Sequence, residues 1–242
     1  MVMKETLIAA SRTRGRRRAP ETDGREHLLD CATRLFAEKG IAATTMAQIA
    51  DAGGVTSAMV HYYFRNRETL LDVIVEERIM QAIEFVWQIG SARAGADPIT
   101  LAHALVDRLF DVTGRMPWLP SLWLREIVNE GGMLRERVLG RLPVERLQQF
   151  ARQVKAGQKA GTVRGEIEPS LVFLSILALV MLPLATAKVW QGLPGMPEID
   201  RETLHRHVAA LLANGLHVSR GPRTAHAAAR SRAAGTAGRR RS

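Results

Sequence analysis

The chain holds 242 residues, 46% hydrophobic and 24% charged, with a mean hydropathy of −0.06, which reads as an ordinary soluble protein of one or two domains with a substantial core. Its net charge of +10 and pI near 10.8 suggest an anionic partner, yet residues 1–20 contribute +5 and residues 219–242 contribute +7, leaving −2 for residues 21–218. Bulk charge is thereby excluded as an argument for what the folded body binds, and the single cysteine, Cys31, excludes an internal disulfide and fits a reducing cytoplasm.

Residues 1–22 end in SRTRGRRRAPET, a basic stretch with too few apolar residues to fold; it reads either as an arm adding phosphate or minor-groove contacts or as a plain solvated tail. Its arginines follow MVMKETLIAA instead of preceding an apolar run, so no cleaved secretory signal is expected. Thr22 or Asp23 is placed to cap a first helix over 24–39, with Leu28, Ala32, Leu35 and Phe36 as its inner stripe, Cys31 in a small core site and Gly40 as its stop. Residues 44–70, TTMAQIADAGGVTSAMVHYYFRNRETL, predict two short helices meeting at a glycine turn and the start of a third. Thr45 caps the first over 46–52, Ile49 and Ala50 turn inward, and Gly54 supplies the positive φ of the corner. Thr56 caps the second, whose Val60 and Phe64 face the core while Ser57, Ala58, His61 and Tyr62 form an outer strip without acidic residues, suited to a major groove.

These residues, together with LLDCATRLFAEKG upstream, resemble the DNA-binding head of the tetracycline-repressor-type (TetR/AcrR) family of bacterial transcriptional regulators, over about the first third of the folded chain. The spacing of LF-AEKG, TT--IA--GGV and HYYF-N-E-L is a specific signal, with departures at Ala58, where glycine or proline is frequent, His61, where tyrosine is usual, and Gly53, where an apolar residue normally packs. The resemblance implies an all-α chain: a three-helix helix-turn-helix DNA-binding domain over 23–70 and a helical effector-binding and dimerisation domain over 71–218, between basic tails at 1–22 and 219–242. Thr44, Thr45, Thr56 and Ser57 offer hydroxyls to phosphates, and Ser57, Ala58, Met59 and Tyr62 are placed for base edges or a thymine methyl, with His61 on the same strip. Tyr63 and Arg67 match phosphate contacts of the family; Tyr62 and Tyr63 alternatively pack against the following helix. With no Arg, Asn or Gln on the strip to make a bidentate base pair, sequence choice is expected to lean on apolar contact and DNA shape.

Asn66 to Glu68 open the next helix, predicted to run unbroken to residue 89 and to transmit movement between body and head. After a small-residue loop at 90–97, Asp97 and Pro98 start a helix over 99–113 with Leu101, Leu105, Leu109 and Val112 inward. MPWLPSLWLREI predicts an irregular aromatic turn and a helix to 129, broken by Gly131 and Gly132; helices come next over 133–140 and 143–160, then the turn-rich GTVRGEIEPS. From Leu171 to Ala187 no residue is charged, at the short edge of the roughly 17–25 residues that cross a bilayer. Pro183 within it, in an otherwise soluble chain, favours a core and dimer helix over a membrane span. Asp200 caps a last helix to about 218, and Leu171, Leu174, Leu177, Val180, Leu204, Val208, Leu211 and Leu212 are the expected dimer interface, which the family builds from its last two long helices. The tail 219–242 is low-complexity Ala, Arg and Gly.

The family also implies an effector cavity in the body, with Trp87, Phe110, Met116, Trp118, Trp123 and Met181 as candidate walls and His103 or Arg125 as polar handles; each is otherwise ordinary core. Against an enzyme, the chain has no GxSxG elbow, phosphate-binding glycine loop or HExxH, and no cofactor or metal is expected, since His205 and His207 point apart on a helix. The expectation is a cytoplasmic homodimer that reads a two-fold operator and is released by a small, lipophilic molecule. The alternatives are an activator of the same family, or a basic membrane-associated or other helical protein with non-specific DNA binding.

Overall fold

A computed structural model describes residues 21–88 and 97–217, with the side chains of residues 21 and 22 left aside. The basic arm and tail, and nearly all of the 90–97 loop, lie outside the described residues. Two compact units divide the chain, one up to Leu71 and one from Asp72.

In the first unit, α1 (Glu21–Lys39) precedes α2 (Met46–Gly53) and α3 (Ser57–Phe64). The first helix begins earlier than its cap signals suggest, taking Asp23 into its first turn, where a carboxylate favours the positive helix end. Leu28, Ala32 and Phe36 are fully buried with Leu29, Ile41, Ile49, Val60 and Phe64, while Leu35 is only half-buried. Cys31 is buried and its thiol points at the Ala52 carbonyl, 3.5 Å away. Gly53 has a packing reason: a Cβ there would lie 2.5 Å from Leu28 Cδ2, so the side chain usual at this corner is traded for close approach of α1 and α2.

From Arg67 the chain is helical through Trp87, but not uniformly: α4 (Arg67–Ile74) passes into a π-helical stretch, Val75–Met80, before α5 (Gln81–Trp87). Ile74 and Ile79, five apart, are both buried, as a π turn allows. The i, i+4 pair Val75 and Ile79 fits an α-helix equally well, which is why the sequence predicts one unbroken rod.

In the second unit α6 (Pro98–Arg115) is capped by Asp97, which accepts from Thr100 N at 3.1 Å, and buries all four predicted leucine and valine positions. Next come α7 (Leu119–Leu122), a second π-helical stretch at Trp123–Val128 where the sequence predicts an α-helix, α8 (Arg135–Leu139) and α9 (Val144–Lys159). A 3-10 turn at Pro169–Leu171 leads into α10 (Val172–Ala185), which carries Pro183, and then α11 (Ala187–Gln191) and α12 (Arg201–Leu216). Both α10 and α12 pack on α6 around a core of Leu105, Leu109, Ile176, Val180, Val208 and Leu212. Asp200 caps α12 by accepting from Thr203 N at 2.7 Å; that backbone bond, then the Thr203 hydroxyl, holds its carboxyl below the ordinary value. Among the described residues the fold is all-helical, with one isolated bridge between Val163 and His217, and no helix is long and apolar enough to cross a membrane.

An acidic stripe runs from the end of α4 into α5. Asp72, Glu76 and Glu84 receive Arg137, Arg141 and Arg146 at 2.8, 3.0 and 2.8 Å. The arginines come from α8, α9 and the link between them, so that segment is tied laterally to the helix it covers.

Candidate DNA interface and effector cavity

The reading strip is held by two caps. Thr45 and Gln48 form a reciprocal capping box, Gln48 N donating to Thr45 Oγ1 at 3.2 Å and Thr45 N to Gln48 Oε1 at 2.9 Å. Thr56 Oγ1 accepts from Met59 N at 3.4 Å. Each hydroxyl is used as an acceptor, so its proton remains available to an incoming phosphate oxygen. Gly54 closes the corner at φ +64°. Ser57, Ala58, His61 and Tyr62 are exposed, Tyr62 at 67%, whereas Met59, Tyr63 and Arg67 are half-buried. Thr44 is a correction: it is fully buried and its hydroxyl donates to the Gly40 carbonyl at 2.8 Å, so it fixes the chain entering α2 and offers nothing to a phosphate.

His61 contributes something its sequence position did not reveal. Its Nδ1 lies 2.9 Å from the Arg65 carbonyl, an acceptor, so Nδ1 is the donor of that bond. Arg65 has φ +54°, a left-handed backbone uncommon outside glycine, and its N–H donates to the His61 carbonyl at 2.8 Å. The imidazole therefore clamps the strained end of α3. Tyr63 lies edge-on to Tyr62, ring centres 5.3 Å apart, and its hydroxyl lies close to Gly24, where a Cβ would come within 3.3 Å. Tyr63 thus packs on α1, and Tyr62 is the ring left on the surface.

The second unit holds a cavity of about 540 Å³, within the roughly 300–1,000 Å³ of small-molecule sites. Its lining is almost wholly apolar and includes three of the predicted walls, Trp87, Trp123 and Met181; Trp87 stacks on Phe173 with ring centres 4.7 Å apart. The other five predicted residues do not line it. Phe110 is buried on the far side of α6, where its ring meets His205 at 4.7 Å and its carbonyl accepts from Arg201. Met116, Trp118 and His103 are half-buried elsewhere, and Arg125 is exposed. Helical spacing selects core positions but cannot separate those that meet a neighbouring helix from those that meet a void. The polar residues of the lining are Arg135 and Ser170, neither foreseen, because both stand in stretches whose pattern reads as solvated.

The expected dimer face divides. Leu171, Leu174 and Leu211 are exposed, Leu177 and Leu204 half-buried, and Leu174 and Leu177 also line the cavity. Val180, Val208 and Leu212 are corrections: they are buried in this chain's own core against α6 and are not free to meet a partner. The apolar surface continues instead through Leu182, Val189 and Trp190, all exposed.

Residues 28–74 match the family described as bacterial regulatory proteins, tetR family. The chain is 28% identical to the transcriptional repressor KstR2 of Rhodococcus jostii over 159 residues, covering 64% of this chain and 77% of that one. It is 30% identical to the regulator AcrR of Shigella flexneri over 91 residues, 37% of this chain and 41% of the relative. Among solved structures, the ketosteroid transcriptional regulator KstR2 of Mycobacterium tuberculosis matches with a TM-score of 0.64 at 20% identity, over 81% of this chain and 95% of that one. With its caps, corner and outer strip in place, the head at residues 28–74 is a helix-turn-helix segment of the type found in the tetR family of bacterial regulatory proteins.

Proposed function

We propose that the protein is a cytoplasmic homodimeric repressor that holds a two-fold operator through α3 and its flanking caps and is released when a lipophilic small molecule fills the cavity of its second unit. The observation that carries the effector reading is the cavity itself: about 540 Å³, walled by aliphatic and aromatic side chains, with Arg135 and Ser170 its polar residues. Such a wall rewards a compact apolar body and gives little to a sugar or nucleotide. The ketosteroid named for the Mycobacterium tuberculosis neighbour is a body of that kind, and supports testing rigid polycyclic molecules first.

On the DNA side, Ser57, Ala58, Met59 and Tyr62 meet base edges, while Thr45, Thr56, Arg67 and the exposed edge of His61 hold phosphates. The face formed by Leu171, Leu174, Leu182 and Leu211 pairs two copies, so each head reads one half-site. Effector occupancy favours a state of lower operator affinity, and the shift is limited to the difference in effector affinity between the two states.

The test is binding of the full chain to the DNA upstream of its own gene and to a random duplex of equal length, across a salt series. A preference of ~10³-fold or more that survives moderate salt and falls when androstenedione, a ketosteroid probe, is added supports the proposal. Equal binding to both duplexes removes the operator reading.

A further inference from the structure

We infer that the effector is an amphipathic carboxylic acid, and that Arg135 is the residue that takes its carboxylate. The inference rests on the reading of the cavity as the effector site. Among the described residues Arg135 is the one ionisable side chain in the lining, and no aspartate or glutamate shares the wall with it. A half-buried guanidinium beside apolar surface is costly without a counter-charge, so its surroundings should supply one or leave room for one.

The protein supplies part. Arg135 Nη1 donates to the carbonyls of Val128 at 2.7 Å and Ile127 at 3.4 Å, the last residues of the second π-helical stretch. Those carbonyls fix the plane of the guanidinium but carry no full charge. The Nε and Nη2 hydrogens make no bond to the described residues, and they form the edge that accepts a carboxylate with two parallel hydrogen bonds. Ser170 cannot substitute, because its hydroxyl donates to Glu168 Oε1 at 2.5 Å and can therefore only accept from a ligand. A cavity with an apolar body and one oriented, uncompensated cation at its wall selects a molecule with an apolar body and one anionic end.

The test uses the purified full-length protein and two pairs of probes, dodecanoate with methyl dodecanoate and pyrenebutyrate with its methyl ester. Binding is read by calorimetry and by quenching of the tryptophans that line the cavity. Each acid should bind about ten-fold or more tightly than its ester, the worth of a charge-assisted bidentate contact. Arg135→Met should remove that preference while leaving ester affinity within about two-fold, which also shows that the cavity is intact. Arg135→Lys should keep part of the preference, and Ser170→Ala all of it. Equal affinity for acid and ester in the unaltered protein, or a preference that persists in Arg135→Met, overturns the inference and leaves the cavity reading standing. Failure of all four probes to bind overturns both.

Discussion

Replacing Gly132 by alanine should unsettle the second unit, and replacing its neighbour Gly131 should not. A Cβ on Gly132 would lie 2.3 Å from the Glu126 carbonyl oxygen and 2.4 Å from its carbon, where carbon atoms settle at ~3.5–4.0 Å, so the turn must open by roughly 1 Å against backbone. That opening pulls on two bonds, Leu134 N to the Glu126 carbonyl and Met133 N to the carboxylate of the buried Glu126, both 3.1 Å. Overpacking costs about 1–3 kcal/mol and each weakened bond about 1 kcal/mol, while the loss of glycine freedom in the unfolded chain returns about 0.4–1 kcal/mol. The net expectation is about 2–4.5 kcal/mol, a fall of about 4–18 °C in Tm for a chain of this size. A Cβ on Gly131 meets nothing within 4 Å, so Gly131→Ala should be neutral or slightly stabilising. Urea titration by tryptophan fluorescence reads this unit selectively, because all four tryptophans, Trp87, Trp118, Trp123 and Trp190, come after residue 72. Arg135 N also donates to the Gly132 carbonyl at 3.3 Å, so Gly132→Ala should blunt the preference for acids over esters as well. Coincident midpoints for the two alanine variants would show that the crowding argument is wrong.

Thr45→Ala should cost the head about 1 kcal/mol by breaking both halves of the capping box, visible as an earlier loss of helical circular dichroism with tryptophan fluorescence unchanged. Arg67→Ala should weaken binding to every duplex and lower the slope of log K against log salt by about 1, whereas Tyr62→Ala should reduce the preference for operator and leave the slope alone. Leu211→Glu should give a folded monomer in sedimentation, while Val208→Glu, which puts a charge into the core against α6, should give no folded protein. The capping bonds to Asp200 favour its ionised form, so their contribution is complete above the ordinary carboxylate range and disappears as the pH falls through the lowered folded value. The stability gap between the natural chain and Asp200→Ala should therefore be constant near neutrality and close in acid; a gap that widens in acid would contradict the cap.

The head was legible because its signals are local. Thr45, Gly54 and Thr56 each answer a need of the backbone within four residues, so the sequence states both the requirement and its solution. Thr44 misled because a hydroxyl next to a cap looks available until the returning chain is seen to use it. The exposed apolar surface offered for a dimer was only half legible for a related reason: α10 is apolar nearly all round, so its sequence carries no phase to tell the buried Val180 from the exposed Leu174. The cavity could not be read at all from spacing, since a void is a property of several helices at once. Arg135 lies among Arg and Glu residues of a short polar helix, and only the third dimension brings it beside Trp123 and Phe173.

The π-helical stretch at Val75–Met80 stores one residue of slack between α4 and the cavity, whose wall includes Ile79, Ala82, Ile83 and Val86. A π turn encloses one residue more than the α turn it replaces. Were it to relax to α geometry, the helix on its N-terminal side would swivel by about 100° and slide about 1.5 Å relative to the helix on its C-terminal side, the increments of a single α residue. The change of winding thus falls beside the cavity, where Ile79 belongs both to the π-helical stretch and to the cavity wall.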